Sequence, residues 1–192
     1  MVKELEDQEV KELNEAYNKV IHWFFSFPTR EIGLSDLSEE VNISKATANR
    51  VVRTLEEKGF LFVKEIGRVW RITCNPQHIF NHSRKIGFNI MMVLETRLLE
   101  DIYKMYPSAR AVILFGSYRK GDDTEKSDID IAVEVLDNED VRMIEHGEFL
   151  KFGYRENVKA NLLVFSRNKI DMNLFSNIAN GIVLDGFLEV RP

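Results

Sequence analysis

The sequence predicts an α+β protein in two parts: a mostly helical N-terminal half closed by a β-hairpin, then an α/β domain with a small mixed sheet. Three observations predict it. Up to residue 58, apolar residues recur at helical spacing. Two short β-rich runs then flank a glycine-bearing turn. Beyond Pro107, short apolar runs of strand type alternate with helical stretches. A length of 192 residues fits two small domains, and 44% hydrophobic with 30% charged residues supplies a core for each. The expected division is 1–75, a long connecting helix over 76–107, and 108–192.

The first helix should run from about Glu6 to Phe27, because Val10, Leu13, Ala16, Tyr17, Val20, Ile21, Phe24 and Phe25 form one stripe and Pro28 ends it. That stripe is core or a dimer seam. A short helix follows Ser35, read as its cap, and ends near Val41. After a turn at Asn42-Ile43, Ser44 caps a third helix from Lys45 to Lys58, with Ala48, Val51, Val52 and Leu55 inward and Gly59 closing it. Phe60–Glu65 and Val69–Thr73 make the hairpin around Ile66-Gly67-Arg68.

Asn75-Pro76 is a turn signal and the expected boundary. A single helix is expected over Ile79–Tyr106, with Ile86, Ile90, Val93, Leu94, Leu98, Ile102 and Met105 inward. Strands are expected at Ala111–Phe115, Ile129–Val135 and Asn161–Phe165, helices at Glu139–Gly153 and Lys169–Asn180, and a last apolar run at Ile182–Leu184.

The composition narrows the function classes. A single cysteine, Cys74, forms no internal disulfide and has no Cys or His at metal spacing, so it reads as a packing residue in a cytoplasmic protein. No apolar run is long enough for a membrane span, and the acidic start lacks a signal peptide's apolar stretch. Walker-type and dinucleotide-binding fingerprints are absent from the sequence. His78 and His82 have an i,i+4 spacing that can bind metal, but no acid lies close by, so capping or a surface role is expected; His22 and His146 are read as helix residues.

A short helix, a tight turn and a second amphipathic helix form the helix-turn-helix order. Its second helix would expose Lys45, Thr47, Asn49, Arg50 and Arg53, residues suited to base edges and phosphates, and the hairpin tip adds Arg68. From Ser44 to Thr73 there are seven Lys or Arg against three Glu, on a chain whose net charge is -5. Such a basic island suits a local phosphate footprint. The stretch LSDLSEEVNISKATANRVVRTLEEKGFLFVKEIGRVWRIT resembles the winged helix-turn-helix family of transcription regulators. The resemblance implies double-stranded DNA as a partner and a homodimer as the assembly; a protein-docking scaffold is the alternative.

The densest chemical signal is AVILFGSYRKGDDTEKSDIDIAV. Gly116 allows a sharp turn after a strand, and Ser117 offers a hydroxyl and an N–H to a phosphate. Asp128 and Asp130, two apart on a strand, leave the same face with Cα atoms about 7 Å apart, close enough to share Mg²⁺ ions. Gly-Ser, ten residues and Asp-x-Asp is similar to the motif of the DNA polymerase beta-like nucleotidyltransferase superfamily, in its minimal branch. The resemblance spans about Ala109 to Gly186. It implies that Ser117 holds a triphosphate, that Asp128 and Asp130 hold metal and carry catalysis, and that Lys120, where relatives carry Arg, meets the phosphate charge; a solvated loop lysine is the other reading of Lys120.

Active members of that superfamily bring a third carboxylate from the next strand. Here the matching position is Asn161, which is uncharged and no general base. Glu134, about 13 Å from Asp130 by strand rise, is too far to replace it; Glu156 precedes the strand. Two functions are therefore expected. One is transfer of a nucleoside monophosphate, AMP first, from a nucleoside triphosphate such as ATP to a hydroxyl, with Mg²⁺. Its acceptor would be a small molecule or a protein, as the minimal branch resembles antitoxins that modify toxin partners. The other is a catalytically silent regulator or antitoxin-like protein that senses a nucleotide or partner.

Overall fold

The computed structural model describes residues 2–136 and 138–190, with side chains from residue 11 onward. The chain divides into two compact units, Met1–Asn81 and His82–Pro192. Among the described residues, no helix is long and apolar enough to cross a membrane.

The N-terminal unit begins with α1 (Val2–Ser26), α2 (Leu34–Glu40) and α3 (Lys45–Glu57) and closes with the hairpin of β1 (Leu61–Ile66) and β2 (Val69–Cys74). The α1 stripe is core: Ala16, Val20, Ile21, Phe24 and Phe25 are buried, and the rings of Phe24 and Phe25 meet Phe60 edge-on at 6.5 and 5.7 Å. Val10 lies outside the described side chains. On α3, Ala48, Val51, Val52 and Leu55 are buried, and the Ser44 hydroxyl accepts from the Thr47 backbone N–H at 3.0 Å. Gly59, at φ 75°, ends the helix.

The cap of α2 is Gly33, not Ser35: the Leu37 N–H already reaches the Gly33 carbonyl at 2.9 Å, so the helix starts two residues earlier than expected. Asn42 takes the left-handed turn before Ser44. The hairpin pairs Leu61 with Cys74 through Ile66 with Val69, leaving Gly67-Arg68 as its tip, and Ile32 adds a bridge to Ile72. Cys74 is buried beside Asn81, the packing role expected.

After a 3-10 turn at Ile79–His82, the expected single helix is two: α4 (Arg84–Leu94) and α5 (Leu98–Met105). Thr96 breaks it. Its hydroxyl donates to the Val93 carbonyl at 2.6 Å and accepts from the Leu98 N–H at 3.2 Å, offering the backbone a local alternative to continued helix. The break turns Leu94 and Met105 outward, while Val93, Leu98 and Ile102 stay buried.

The sheet comprises β3 (Ala109–Phe115), β4 (Ile129–Val135), β5 (Arg142–Phe152), β6 (Arg155–Phe165) and β7 (Ile182–Gly186), in the order β5-β6-β4-β3-β7. Only β4 and β6 run parallel. A five-residue helix, α6 (Gly116–Lys120), follows β3, and α7 (Met172–Ala179), capped by Asp171, precedes β7. One sheet face, with Ile129, Ile131, Val133 and Val135, packs with Val93, Leu98 and Ile102. The other, with Ala111, Ile113, Ala132, Leu163 and Phe165, packs with Ile178 of α7.

The helix expected over Glu139–Gly153 is instead strand β5. Residues Arg142–Phe152 carry helix formers such as Met, Glu, Leu and Lys, but the hairpin with β6, turning at Gly153-Tyr154, overrides that local preference. The register slips between Glu145 and Gly147, so the apolar alternation changes phase midway and hides the strand's period. His146 accordingly lies on a strand, with Nε2 3.9 Å from an Asp101 carboxylate oxygen.

Candidate active site and nucleic-acid interface

The sheet register assembles the C-terminal site. Phe115 of β3 pairs with Asp130 of β4, and Asp130 with Asn161 of β6. The Asn161 amide nitrogen lies 3.4 Å from an Asp128 carboxylate oxygen and 3.5 Å from one of Asp130. Both acids therefore converge on one amide, through long and weak hydrogen bonds. Gly116 takes φ 70°, and a Cβ there would come within 2.5 Å of Asp130 Oδ2. Glycine is required twice over at that corner: for the backbone conformation and for the room the carboxylate occupies. Burial raises the pKa of Asp130 and the Asp128 charge adds to the rise, while the Asn161 hydrogen bond opposes it. Ser117 is the second residue of α6, which starts without a side-chain cap. Lys120, at the end of α6, is exposed.

A buried polar scaffold holds the loop between Gly116 and Asp128. From α4, Lys85 Nζ donates to the Asp123 carbonyl at 2.5 Å and pairs with its carboxylate at 3.2 Å, with side chains 1% and 4% exposed. Asn89, one turn on, donates to the Tyr118 carbonyl at 3.0 Å and to Asp123 Oδ1 at 2.7 Å. Arg155, at the start of β6, donates to the carbonyls of Glu125 and Ser127 at 3.0 and 2.9 Å and to the Tyr118 hydroxyl. Burial pushes both the Asp123 carboxyl and the Tyr118 phenol above their usual ranges. Sequence reading missed all five residues. The available signal was a Lys and an Asn at i,i+4 among Ile86, Phe88 and Ile90, polar groups on a helix face that should be apolar.

The two carboxylates considered as replacements for Asn161 are placed elsewhere. Glu134 is buried and engaged by Arg167, whose Nε donates to it at 3.1 Å. Glu156 is exposed near the hairpin end, in register with Lys151. Among the described residues, no group of three or more His, Cys, Asp or Glu is placed to hold a metal. The donors that do converge, two carboxylates and an amide able to turn its oxygen inward, are the hard oxygen set that suits Mg²⁺. A cavity of about 610 Å³ lies away from these acids, between Met92–Arg97 and the β5 bulge.

In the N-terminal unit, Lys45, Asn49 and Arg68 line one cleft of about 490 Å³ with Asp36 and Trp70. Arg50 is exposed on α3, and Thr47 is tied to the Ser44 cap. Arg53 is placed differently from the expectation. It donates to Glu56 at 2.7 Å and to Glu65, and its guanidinium stacks 4.1 Å over the Trp70 ring. It joins α3 to the hairpin. His78 is also internal: Nε2 donates to the Lys58 carbonyl at 3.0 Å while Nδ1 accepts from the Phe80 N–H, so it forms no metal pair with His82.

Residues 98–185 match the family described as Polymerase beta, Nucleotidyltransferase, and residues 29–64 match the MarR family. The N-terminal unit is thus similar to a winged helix-turn-helix and the C-terminal unit to a nucleotidyltransferase domain. The nucleotidyltransferase match covers α5 through β7 nearly whole, and thus the Gly116 corner, both aspartates and Asn161. The MarR match ends inside β1 of the winged module. A putative protein adenylyltransferase of Methanocaldococcus jannaschii is 39% identical over 56 residues, 29% of this chain and 52% of the relative. The matched segment spans about half the length of that curated relative.

Proposed function

We propose that the nucleotidyltransferase-type domain transfers AMP from ATP to a hydroxyl group with Mg²⁺, and that the winged module carries this activity on double-stranded DNA. The convergence of Asp128 and Asp130 on one amide beside the Gly116 corner carries the first part. A divalent cation bound by the two carboxylates would neutralise the triphosphate and sharpen the electrophilicity of its α-phosphorus. The chain's own residues do the rest. Ser117 offers its hydroxyl and backbone N–H to the phosphates. Gly116 keeps the corner open beside Asp130. Arg155, Lys85 and Asn89 fix the loop that delivers Asp128. Lys120 lies at the end of α6, where it can meet phosphate charge without being fixed by it.

A protein side chain is the acceptor class we favour, because the Methanocaldococcus relative is named for adenylylating protein; a toxin-like partner is one such acceptor. On DNA, Lys45, Asn49 and Arg68 act from one cleft and Arg50 from the exposed face of α3. A homodimer would present two such faces.

Asn161 favours a second reading, a regulator that binds nucleotide without turnover, because an amide accepts no proton at neutral pH. Incubation with α-labelled ATP, Mg²⁺ and lysate separates the two. Label transfer that disappears in Asp128→Ala is the expected outcome; Mg²⁺-dependent ATP binding with no transfer would establish the regulator instead.

A further inference from the structure

Transfer to a hydroxyl leaves a proton to be removed, and Asn161 offers no group to take it. The row that contains Asp130 and Asn161 does not end there. Asn161 pairs on its other side with Glu145 of β5, so Asp130, Asn161 and Glu145 stand abreast on three adjacent strands with their side chains on one face. Neighbouring strands lie about 4.8 Å apart, which places Glu145 directly across the amide from the aspartate.

The β5 bulge sharpens this placement. Opposite Lys159, the slip at Glu145/Gly147 seats Glu148, so two glutamates three residues apart share a face that an unbroken strand would divide between them. Lys159 Nζ lies 3.4 Å from Glu145 and 3.9 Å from Glu148, which fixes that common face. Gly147 supplies the backbone at the slip, at φ 133°.

We propose that Glu145 is the general base for the hydroxyl acceptor, one strand further out than Asn161, with Lys159 holding its carboxylate ready. This rests on the transferase reading above. The acceptor oxygen would lie over Asn161, between Asp130 and Glu145. Its bond to the α-phosphorus forms as the bond from that phosphorus to the β-bridging oxygen breaks. Pyrophosphate leaves with the electron pair, and the hydroxyl proton goes to Glu145. The acceptor therefore approaches from the β5 edge of the sheet, over Glu145 and Lys159.

The test uses the full chain, α-labelled ATP, Mg²⁺, and a mixture of serine-, threonine- and tyrosine-containing peptides as the hydroxyl probe. Glu145→Gln should lower the transfer rate about a hundredfold or more while leaving Mg²⁺-dependent ATP binding at its wild-type affinity. Adding Asn161→Asp to Glu145→Gln should restore much of the rate, because it returns a carboxylate to the strand beside Asp130. A merely structural role for Glu145 would give no such rescue. Wild-type transfer with Glu145→Gln unimpaired would overturn the base assignment alone. Absence of transfer by the wild-type chain, with ATP bound, would overturn the transferase reading and the assignment with it.

Discussion

The two units place their polar residues in opposite ways. In the winged module, a plain apolar core of α1, α3 and Phe60 carries Lys45, Asn49, Arg50 and Arg68 on its outside. In the nucleotidyltransferase-type domain, the two aspartates stand at the end of a buried chain of polar contacts through Lys85, Asn89, Asp123, Tyr118 and Arg155. An exposed polar face can change its side chains with little effect on folding. The pair of aspartates cannot, because the groups that aim them are also groups whose unmet burial destabilises the fold.

Removing one half of the buried pair tests that contrast most severely. Lys85→Ala strands the Asp123 carboxylate among its buried neighbours and should destabilise the C-terminal unit by about 3–5 kcal/mol, read from denaturant unfolding of the full chain. Lys85→Met with Asp123→Leu should be milder than the single change, since it removes both charges. Equal loss in the two would mean that packing, not charge, holds the loop.

The reading face should behave in the opposite way. Arg50→Ala with Arg68→Ala should weaken duplex DNA retention by about 1–3 kcal/mol per lost contact, flatten its salt dependence, and leave the unfolding midpoint nearly unchanged. Arg53→Ala should reverse that balance, with a loss of stability outweighing the loss of DNA affinity, because Glu56, Glu65 and Trp70 already hold its guanidinium. An Arg53→Ala variant with native stability and abolished DNA binding would return that residue to the interface.

The sequence made some of this legible for specific reasons. Ser44, the α3 apolar positions and the Asp128/Asp130 alternation are local patterns, and each is found where it was expected. Asn161 was also legible, because it directly precedes the recognisable apolar run Leu162–Phe165 of its strand. β5 was not, since its bulge breaks the two-residue period and its residues favour helix in isolation. With β5 read as a helix, Glu145 could not be placed beside Asn161. The Lys85–Asp123 pair joins residues 38 apart, and no local pattern announces such a contact.

Smaller effects belong to the winged module alone. Ser44→Ala removes the bond to the Thr47 N–H and should lower stability by about 1 kcal/mol, visible as a shift of the denaturation midpoint. His22 supplies a pH signature. Burial holds its imidazole below the usual histidine value of 6.5, so the unfolded chain binds the proton first as pH falls. Its contribution is complete above that value and is lost as pH falls through the folded one. Midpoints measured across this range should decline less steeply for His22→Gln than for the wild-type chain.

If Asp128 and Asp130 form one cation-dependent triphosphate site, calorimetric titration of the folded chain with ATP will show saturable binding in Mg²⁺, its loss when Mg²⁺ is withheld, and its loss in Asp128→Ala/Asp130→Ala with native circular dichroism. Binding that is indifferent to Mg²⁺, or that persists undiminished in the double variant, would contradict it.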